Sequence, residues 1–194
     1  PDHRSGGSRN PVRRTMRDSQ FFKQADLLVQ VMPFVNAEAC FALKGGTAIN
    51  FFVRDFPRLS VDIDLVYLPV EDRPTTLRGI DASLQRIAAK IRRAMPGVQV
   101  REQKLASENL LIKLTVRASG GAEVKIEPNT VLRGSLHPTT DRNLTPKAVK
   151  EFGRSATMRV VSLPDLYGGK LCAALDRQHP RDLFDVHGLF QNEG

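Results

Sequence analysis

The stretch from Leu43 to Leu65 constrains this chain more than any other part of it. It reads Leu-Lys-Gly-Gly-Thr-Ala-Ile-Asn, then a short spacer, then Arg-Leu-Ser-Val-Asp-Ile-Asp-Leu. Side chains on a strand change face at every residue, so Asp62 and Asp64 point one way, and Ile63 and Leu65 point into the opposite, buried face. Two parallel carboxylates offer hard oxygen ligands of the kind Mg²⁺ takes, with Mn²⁺ as the alternative. Ahead of them, Lys44, Gly45, Gly46 and Thr47 open a predicted helix whose first backbone N–H groups suit a phosphate. Arg58 is placed to bend towards a phosphate, and a structural ion pair is its equal alternative. Ser60 shares the face of Asp62 and Asp64.

Composition limits what can surround that stretch. A chain of 194 residues holds one domain, or one domain with a small helical appendage. Apolar residues make up 41% and charged residues 26%, ordinary values for a globular protein. No run approaches the ~18 apolar residues of a membrane span and no signal peptide is visible, so a cytoplasmic protein without a membrane partner is expected. Cys40 and Cys172 cannot build a disulfide framework and read as buried thiols. The net charge of +8 favours an anionic partner, of which nucleic acid is the commonest. Residues 1–23 carry six Lys or Arg against two Asp, half of that excess. Residues 1–15 therefore read as a disordered basic arm. The histidines lack zinc-site spacing, and neither a Gly-x-Ser-x-Gly nor a P-loop pattern occurs.

Periodicity predicts a helix from Met16 to Val31 ended by Pro33, a short strand at Phe41–Leu43, a helix over Thr47–Val53 and a central strand over Leu59–Leu68. An amphipathic helix follows over Thr75–Ala94, with Arg78, Arg86, Lys90, Arg92 and Arg93 on its outer face. Strands are predicted over Val98–Leu105, Leu110–Ala118 and Ala122–Glu127, the last two joined at Ser119-Gly120-Gly121. Residues 128–153 read as irregular, and Met158–Ser162 as a last strand. Ser162 caps a helix reaching Asp176, whose Gly168-Gly169 pair suggests close approach of another backbone or a ligand. In a further helix, Arg181 stands at i,i+4 to Asp185, the spacing of an ion pair.

The wording Lys-Gly-Gly-Thr-Ala-Ile-Asn-Phe-Phe, followed by Arg-Leu-Ser-Val-Asp-Ile-Asp-Leu, resembles the nucleotidyltransferase superfamily built around DNA polymerase β. Within it the chain is most similar to the AbiEii/MenT branch, the toxins of abortive-infection and toxin–antitoxin systems. The resemblance implies an α+β fold with a mixed sheet, the polymerase-β-like nucleotidyltransferase fold with flanking and C-terminal helices. Its core would span residues 16–161, and helices in residues 162–194 would contribute active-site residues. The branch's Lys-x-acid motif falls on Lys125 and Glu127, making Glu127 the third metal carboxylate beside Asp62 and Asp64. Its Lys-Leu-x-Ala helix falls on Lys170, an active-site lysine that would hold the triphosphate or neutralise transition-state charge. Its Arg-Asp-x-x-Asp motif falls on Arg181, Asp182 and Asp185, either carboxylate serving to orient Lys170 or the nucleotide. Asn50 occupies a position that in the family is usually Asn and would tie its own helix, Thr47–Val53, to the nucleotide site.

The activity so implied is Mg²⁺-dependent transfer of nucleotides from an NTP to RNA, first of all the 3′ acceptor end of tRNA, by a toxin with a cognate antitoxin. A protein hydroxyl or a small molecule is the alternative acceptor. A catalytically idle module that only binds nucleotide or RNA is the reading from a different class. Phosphorylation of Ser60 is expected to silence the enzyme, because a charge of about −1.5 to −2 beside the carboxylates repels NTP.

Overall fold

A computed structural model describes residues 19–193. The predicted basic arm, residues 1–15, lies outside the described residues. The first helix, α1, spans Gln20–Asn36, starting where the Ser19 hydroxyl accepts the Phe22 N–H. It runs through Pro33 instead of stopping there. So close to the end of a helix, a missing N–H costs a single hydrogen bond, and the chain makes only one more turn after it.

Strand β1 (Phe41–Lys44) leads into a single helical turn, α2 (Gly45–Ala48), which widens at once into a π-turn over Ile49–Val53. The predicted regular helix over Thr47–Val53 is thus replaced by a bulged one, a form that recurs at functional sites. Strand β2 is Asp62–Tyr67, shorter than predicted, and begins on the first of the two aspartates. Helix α3 (Arg73–Ala94) is capped by the Asp72 carboxylate on the Thr75 N–H. It is followed by β3 (Gln99–Leu105), β4 (Leu110–Arg117) and β5 (Glu123–Arg133).

The region predicted to be irregular is more ordered than its sequence indicates. β5 continues through Pro128 to Arg133, and β6 (Thr140–Asn143) and α4 (Pro146–Phe152) follow. Pro128 stands opposite Leu65, where the pairing with β2 becomes irregular, so its missing N–H falls at a break in the ladder. Strand β7 (Thr157–Val160), α5 (Leu163–Arg177) and α6 (Pro180–Glu193) complete the described residues.

The seven strands form one mixed sheet in the order β3-β4-β5-β2-β1-β7-β6. β2 runs parallel to β5 and antiparallel to β1, and β1 runs parallel to β7. One face is sealed: Ile63, Leu65, Leu114, Val116, Val124 and Ile126 are fully buried with Leu28 and Met32 of α1 and Ile80, Leu84 and Ile87 of α3 in a single core. The other face carries the aspartates and is flanked by α2, α5 and α6. Cys172 is exposed and Cys40 half-buried, so Cys172 is not the buried thiol its apolar neighbours suggest. It lies two residues from the inward-facing Lys170, about 200° round the helix, on the outer side of α5. No helix among the described residues is long and apolar enough to cross a membrane.

Candidate active site

Strand register assembles the site. Lys44 stands opposite Asp64 across β1–β2, and Asp64 stands opposite Glu127 across β2–β5. These three residues form one row over three strands, and Asp62 with its partner Lys125 forms the adjacent row. The glycine turn closes down on the row. Gly45 holds φ at +73°, and a Cβ there would lie 2.5 Å from Asp64 Oδ2. A Cβ on Gly46 would lie 2.9 Å from the Arg58 guanidinium and 3.2 Å from Ser60 Oγ. Gly45 is required for both its close approach and its left-handed conformation, whereas a side chain at Gly46 would have to displace the Arg58 guanidinium. Gly45→Ala is expected to lower transfer activity about 100-fold by displacing the Asp64 carboxylate, with a stability loss of only ~1–2 kcal/mol. Parallel activity assays and thermal melts would show whether activity falls further than stability.

Thr47 is fully buried. Its hydroxyl lies 2.6 Å from the Asp62 carbonyl and 2.9 Å from Ser60 Oγ, so it fastens the turn to β2 and leaves only backbone to offer a phosphate.

The carboxylates crowd one another. Burial pushes the Asp64 carboxyl above the usual range, Asp62 and Glu127 push it further, and Lys44 and Lys170 pull the other way. The excess of like charge suits a divalent cation, as does the all-oxygen donor set. Among the described residues, however, no three His, Cys, Asp or Glu side chains stand in a metal-holding group. Glu127 is instead held by the Lys113 ammonium, reaching across from β4.

The C-terminal helices bring a second cluster to the turn. Asp185 on α6 is buried and binds Arg58 through two hydrogen bonds, of 2.9 and 2.5 Å. It also accepts from Asn50 Nδ2 at 3.2 Å and pairs with Lys170 Nζ at 3.2 Å. Lys170 donates to Asp182 at 2.9 Å, and Arg177 caps the same carboxylate. Burial raises the Asp182 carboxyl, but the Lys170 hydrogen bond and charge outweigh it and leave it below the ordinary range. The spacing-based Arg181–Asp185 pair does not form. Asp185 turns inward to Arg58 and Lys170, while Arg181 is exposed. Asn50 also donates to the Gly46 carbonyl at 2.8 Å, so the glycine turn and α6 share one buried amide.

A cleft of about 740 Å³ joins the two clusters, lined by Lys44, Gly45, Asp64, Glu127, Gly169 and Lys170 among others. No other backbone approaches Gly168 or Gly169 within 4 Å of where a Cβ would stand, and Gly169 faces this cleft. Asp165 closes one wall. It accepts from Ser135 Oγ at 2.7 Å, Ser162 Oγ at 3.0 Å and the His137 backbone N–H at 3.1 Å. Burial raises its pKa, but those hydrogen bonds prevail and bring it down to about 2. A depressed folded-state value stabilises the protein above the unfolded value of 3.8, and that contribution is lost as pH falls towards 2. Asp165→Ala is therefore expected to destabilise the protein by ~2–3 kcal/mol at pH 7. Chemical denaturation as a function of pH should show the difference from the parent shrinking between pH 4 and pH 2.

The family model described as nucleotidyl transferase AbiEii toxin, type IV toxin–antitoxin system, matches residues 26–194. This chain belongs to the AbiEii family. Its fold is also that of MenT4, the nucleotidyltransferase toxin Rv2826c of Mycobacterium tuberculosis H37Rv. The two are 17% identical with a TM-score of 0.64, covering 92% of this chain and 62% of that one. A putative nucleotidyltransferase from H. pylori matches at 18% identity and a TM-score of 0.57, covering 91% of this chain and 70% of that one. The chain thus spans less than two thirds of the length of MenT4. A search of curated proteins gives no match. The mixed sheet with its C-terminal helices is the polymerase-β-like architecture of these nucleotidyltransferases.

Of the residues singled out from the sequence, Lys44, Gly45, Asp64, Glu127 and Lys170 line the one cleft, and Asp62 lies one row away from it. Gly46, Thr47, Ser60, Arg58, Asp182 and Asp185 sit behind, bonded to the turn, to β2 or to Lys170. Lys113 and Asp165 were not singled out. The alternation of β4 signals that Lys113 points to the open face, but its partner lies on another strand. Nothing in sequence pairs Asp165 with the loop around Ser135.

Proposed function

We propose that this chain is the toxin of a type IV toxin–antitoxin pair and transfers a nucleotidyl group from an NTP to RNA, first of all the 3′ acceptor end of tRNA. The single observation that carries the reading is the register that sets Asp62 and Asp64 on one open face beside Lys44 and the glycine turn, with Lys170 across the cleft. Asp62 and Asp64 would hold the divalent cation, Mg²⁺ with Mn²⁺ as the alternative, and Glu127 would join them on release from Lys113. When bound, the cation supplies relief of the charge that develops on the phosphates. Lys44, the backbone of Gly45, Gly46 and Thr47, and Lys170 would bind the triphosphate and hold its α-phosphorus in line with the acceptor. The acceptor oxygen forms the new P–O bond, and the α–β phosphoanhydride bond breaks with its electrons leaving on pyrophosphate. The hydroxyl proton passes to the carboxylate cluster. Arg58, Asp182 and Asp185 would act by positioning the turn and Lys170. The excess of positive charge favours an RNA acceptor over a neutral one.

The test is incubation with each labelled NTP, Mg²⁺ and either total tRNA or total protein, beside an Asp62→Ala control. Asp62-dependent label on tRNA supports the reading. Label on protein moves the acceptor, and no Asp62-dependent label overturns the activity. A Ser60→Glu variant is expected to bind NTP at least tenfold more weakly by titration, because the new charge would lie against Gly46 and Thr47 of the phosphate turn. Unchanged binding would rule out silencing at this position.

A further inference from the structure

Beyond the carboxylates, the same open face continues over β5, β4 and β3. Its side chains follow from register. Asp62 stands opposite Lys125, Lys125 opposite Thr115, and Thr115 opposite Arg101. In the flanking rows, Lys113 stands opposite Gln103, and Arg117 stands opposite both Glu123 and Gln99. Arg101, Arg117 and Lys125 are exposed, whereas their neighbours Leu114, Val116, Val124 and Ile126 on the other face are fully buried. α1 and α3 pack on that buried side, and Arg101, Arg117 and Lys125 stand exposed on the opposite one.

The surface carries Arg101, Lys113, Arg117 and Lys125 against Glu123 and Glu127; Lys113 pairs with Glu127, which leaves three cations against one carboxylate. Its remaining side chains in these rows, Gln99, Gln103 and Thr115, are polar, and the apolar Leu105–Leu110 pair lies only at the end of the face. A face with no apolar or aromatic centre is a poor protein interface. Arginine, lysine, threonine and glutamine are the side chains that hold phosphates and sugars. From β2 to β3 the row spans three strand spacings, about 14 Å, which is the length of about four stacked nucleotides of one strand at ~3.4 Å each.

We propose that this strip is the acceptor track: it seats the backbone of a single-stranded RNA end, whose terminal hydroxyl reaches Asp62 and Asp64 while the chain leaves over Lys125, Thr115 and Arg101. The proposal rests on the RNA-acceptor reading above and gives it a location. With no aromatic side chain to stack a base, the track reads backbone and not sequence.

The experiment uses the full chain and a short fluorescein-labelled single-stranded RNA, read by anisotropy over a salt series, alongside NTP titration and transfer of labelled NTP to RNA. Arg101→Ala/Arg117→Ala is expected to weaken RNA binding about tenfold and to lower the slope of log K against log salt by ~1.4, two phosphate contacts at ~0.7 each. NTP binding should be unchanged, since neither residue touches the cleft. Arg78→Ala/Arg93→Ala, on the outer face of α3, removes the same charge and should leave RNA binding within twofold of the parent. If wild type labels RNA and the Arg101/Arg117 variant binds and labels it equally well, the track is overturned and the acceptor reading stands. If both double variants weaken binding alike, the effect is net charge alone and the track is again overturned. If wild type labels protein and not RNA, both readings fall together.

Discussion

Asp64→Asn is expected to abolish transfer, by ~10³-fold or more, and to leave the metal-free protein at least as stable as its parent. The two effects separate because one carboxylate serves the reaction at the expense of the fold. Asp64 sits half-buried beneath Gly45, with Asp62 and Glu127 adding like charge. An asparagine keeps the shape but supplies neither the negative oxygen pair a cation needs nor its field on the phosphates. The sign of the pH dependence follows. A carboxyl whose folded-state pKa lies above its unfolded value binds more protons when native, so its ionisation costs stability as pH rises through that window. The variant should therefore gain on the parent at neutral pH, and the gain should vanish below about pH 3.8, where both side chains are neutral. Thermal melts in EDTA at pH 4 and pH 7, with a labelled-NTP assay, would check it. A variant that loses stability at neutral pH would show that Asp64 is held mainly by favourable bonds.

Asp185→Ala should produce the largest fall in stability, ~3–5 kcal/mol, which for a domain of this size lowers Tm by about 10 °C. The Asp185 side chain is 1% exposed, and its loss leaves the Arg58 guanidinium, 17% exposed, without its carboxylate. Lys170 keeps Asp182 as a partner, so the penalty centres on Arg58. Calorimetry of the Arg58→Met/Asp185→Leu double variant would separate an unpaired charge from lost packing. The double variant should recover most of the stability, because a buried pair replaced as a unit by apolar residues costs little. A double variant as unstable as the single one would mean that Asp185 works chiefly through Asn50 and Lys170. Activity should stay low in both, since the glycine turn and Lys170 lose the bridge between them.

The separation between sequence and structure is clearest at these same residues. Alternation on one strand was enough to place Asp62 and Asp64 on one face and Ile63 and Leu65 on the other, because strand geometry is local. The same alternation holds on β5, where Lys125 and Glu127 share the face opposite the buried Val124 and Ile126. Arg58 was readable only as a choice between phosphate and ion pair, since its partner lies 127 residues further along the chain. Arg181 shows the converse error. Helical spacing allowed a pair with Asp185, but tertiary packing turned the carboxylate inward to stronger, desolvated partners. Pro33 and Pro128 were read as breaks because their local penalty is real. Each falls where only one hydrogen bond is at stake, and surrounding packing absorbs the loss.

Taken alone, the sequence determined a phosphate turn, a two-carboxylate strand, a basic chain and, through four ordered segments, a family. Those properties depend on neighbours within a few residues, where backbone geometry leaves little choice. The tertiary structure decided the rest. Parallel pairing of β2 with β5 brings Glu127 level with Asp64, and Lys113 on β4 then claims its carboxylate. Packing of α5 and α6 against the turn binds Lys170, Asp182, Asp185 and Arg58 into one set of charges, with the buried Asn50 amide bonded to it. Such long-range pairings are settled by desolvation: once buried together, charged groups must find one another, wherever in the chain they lie.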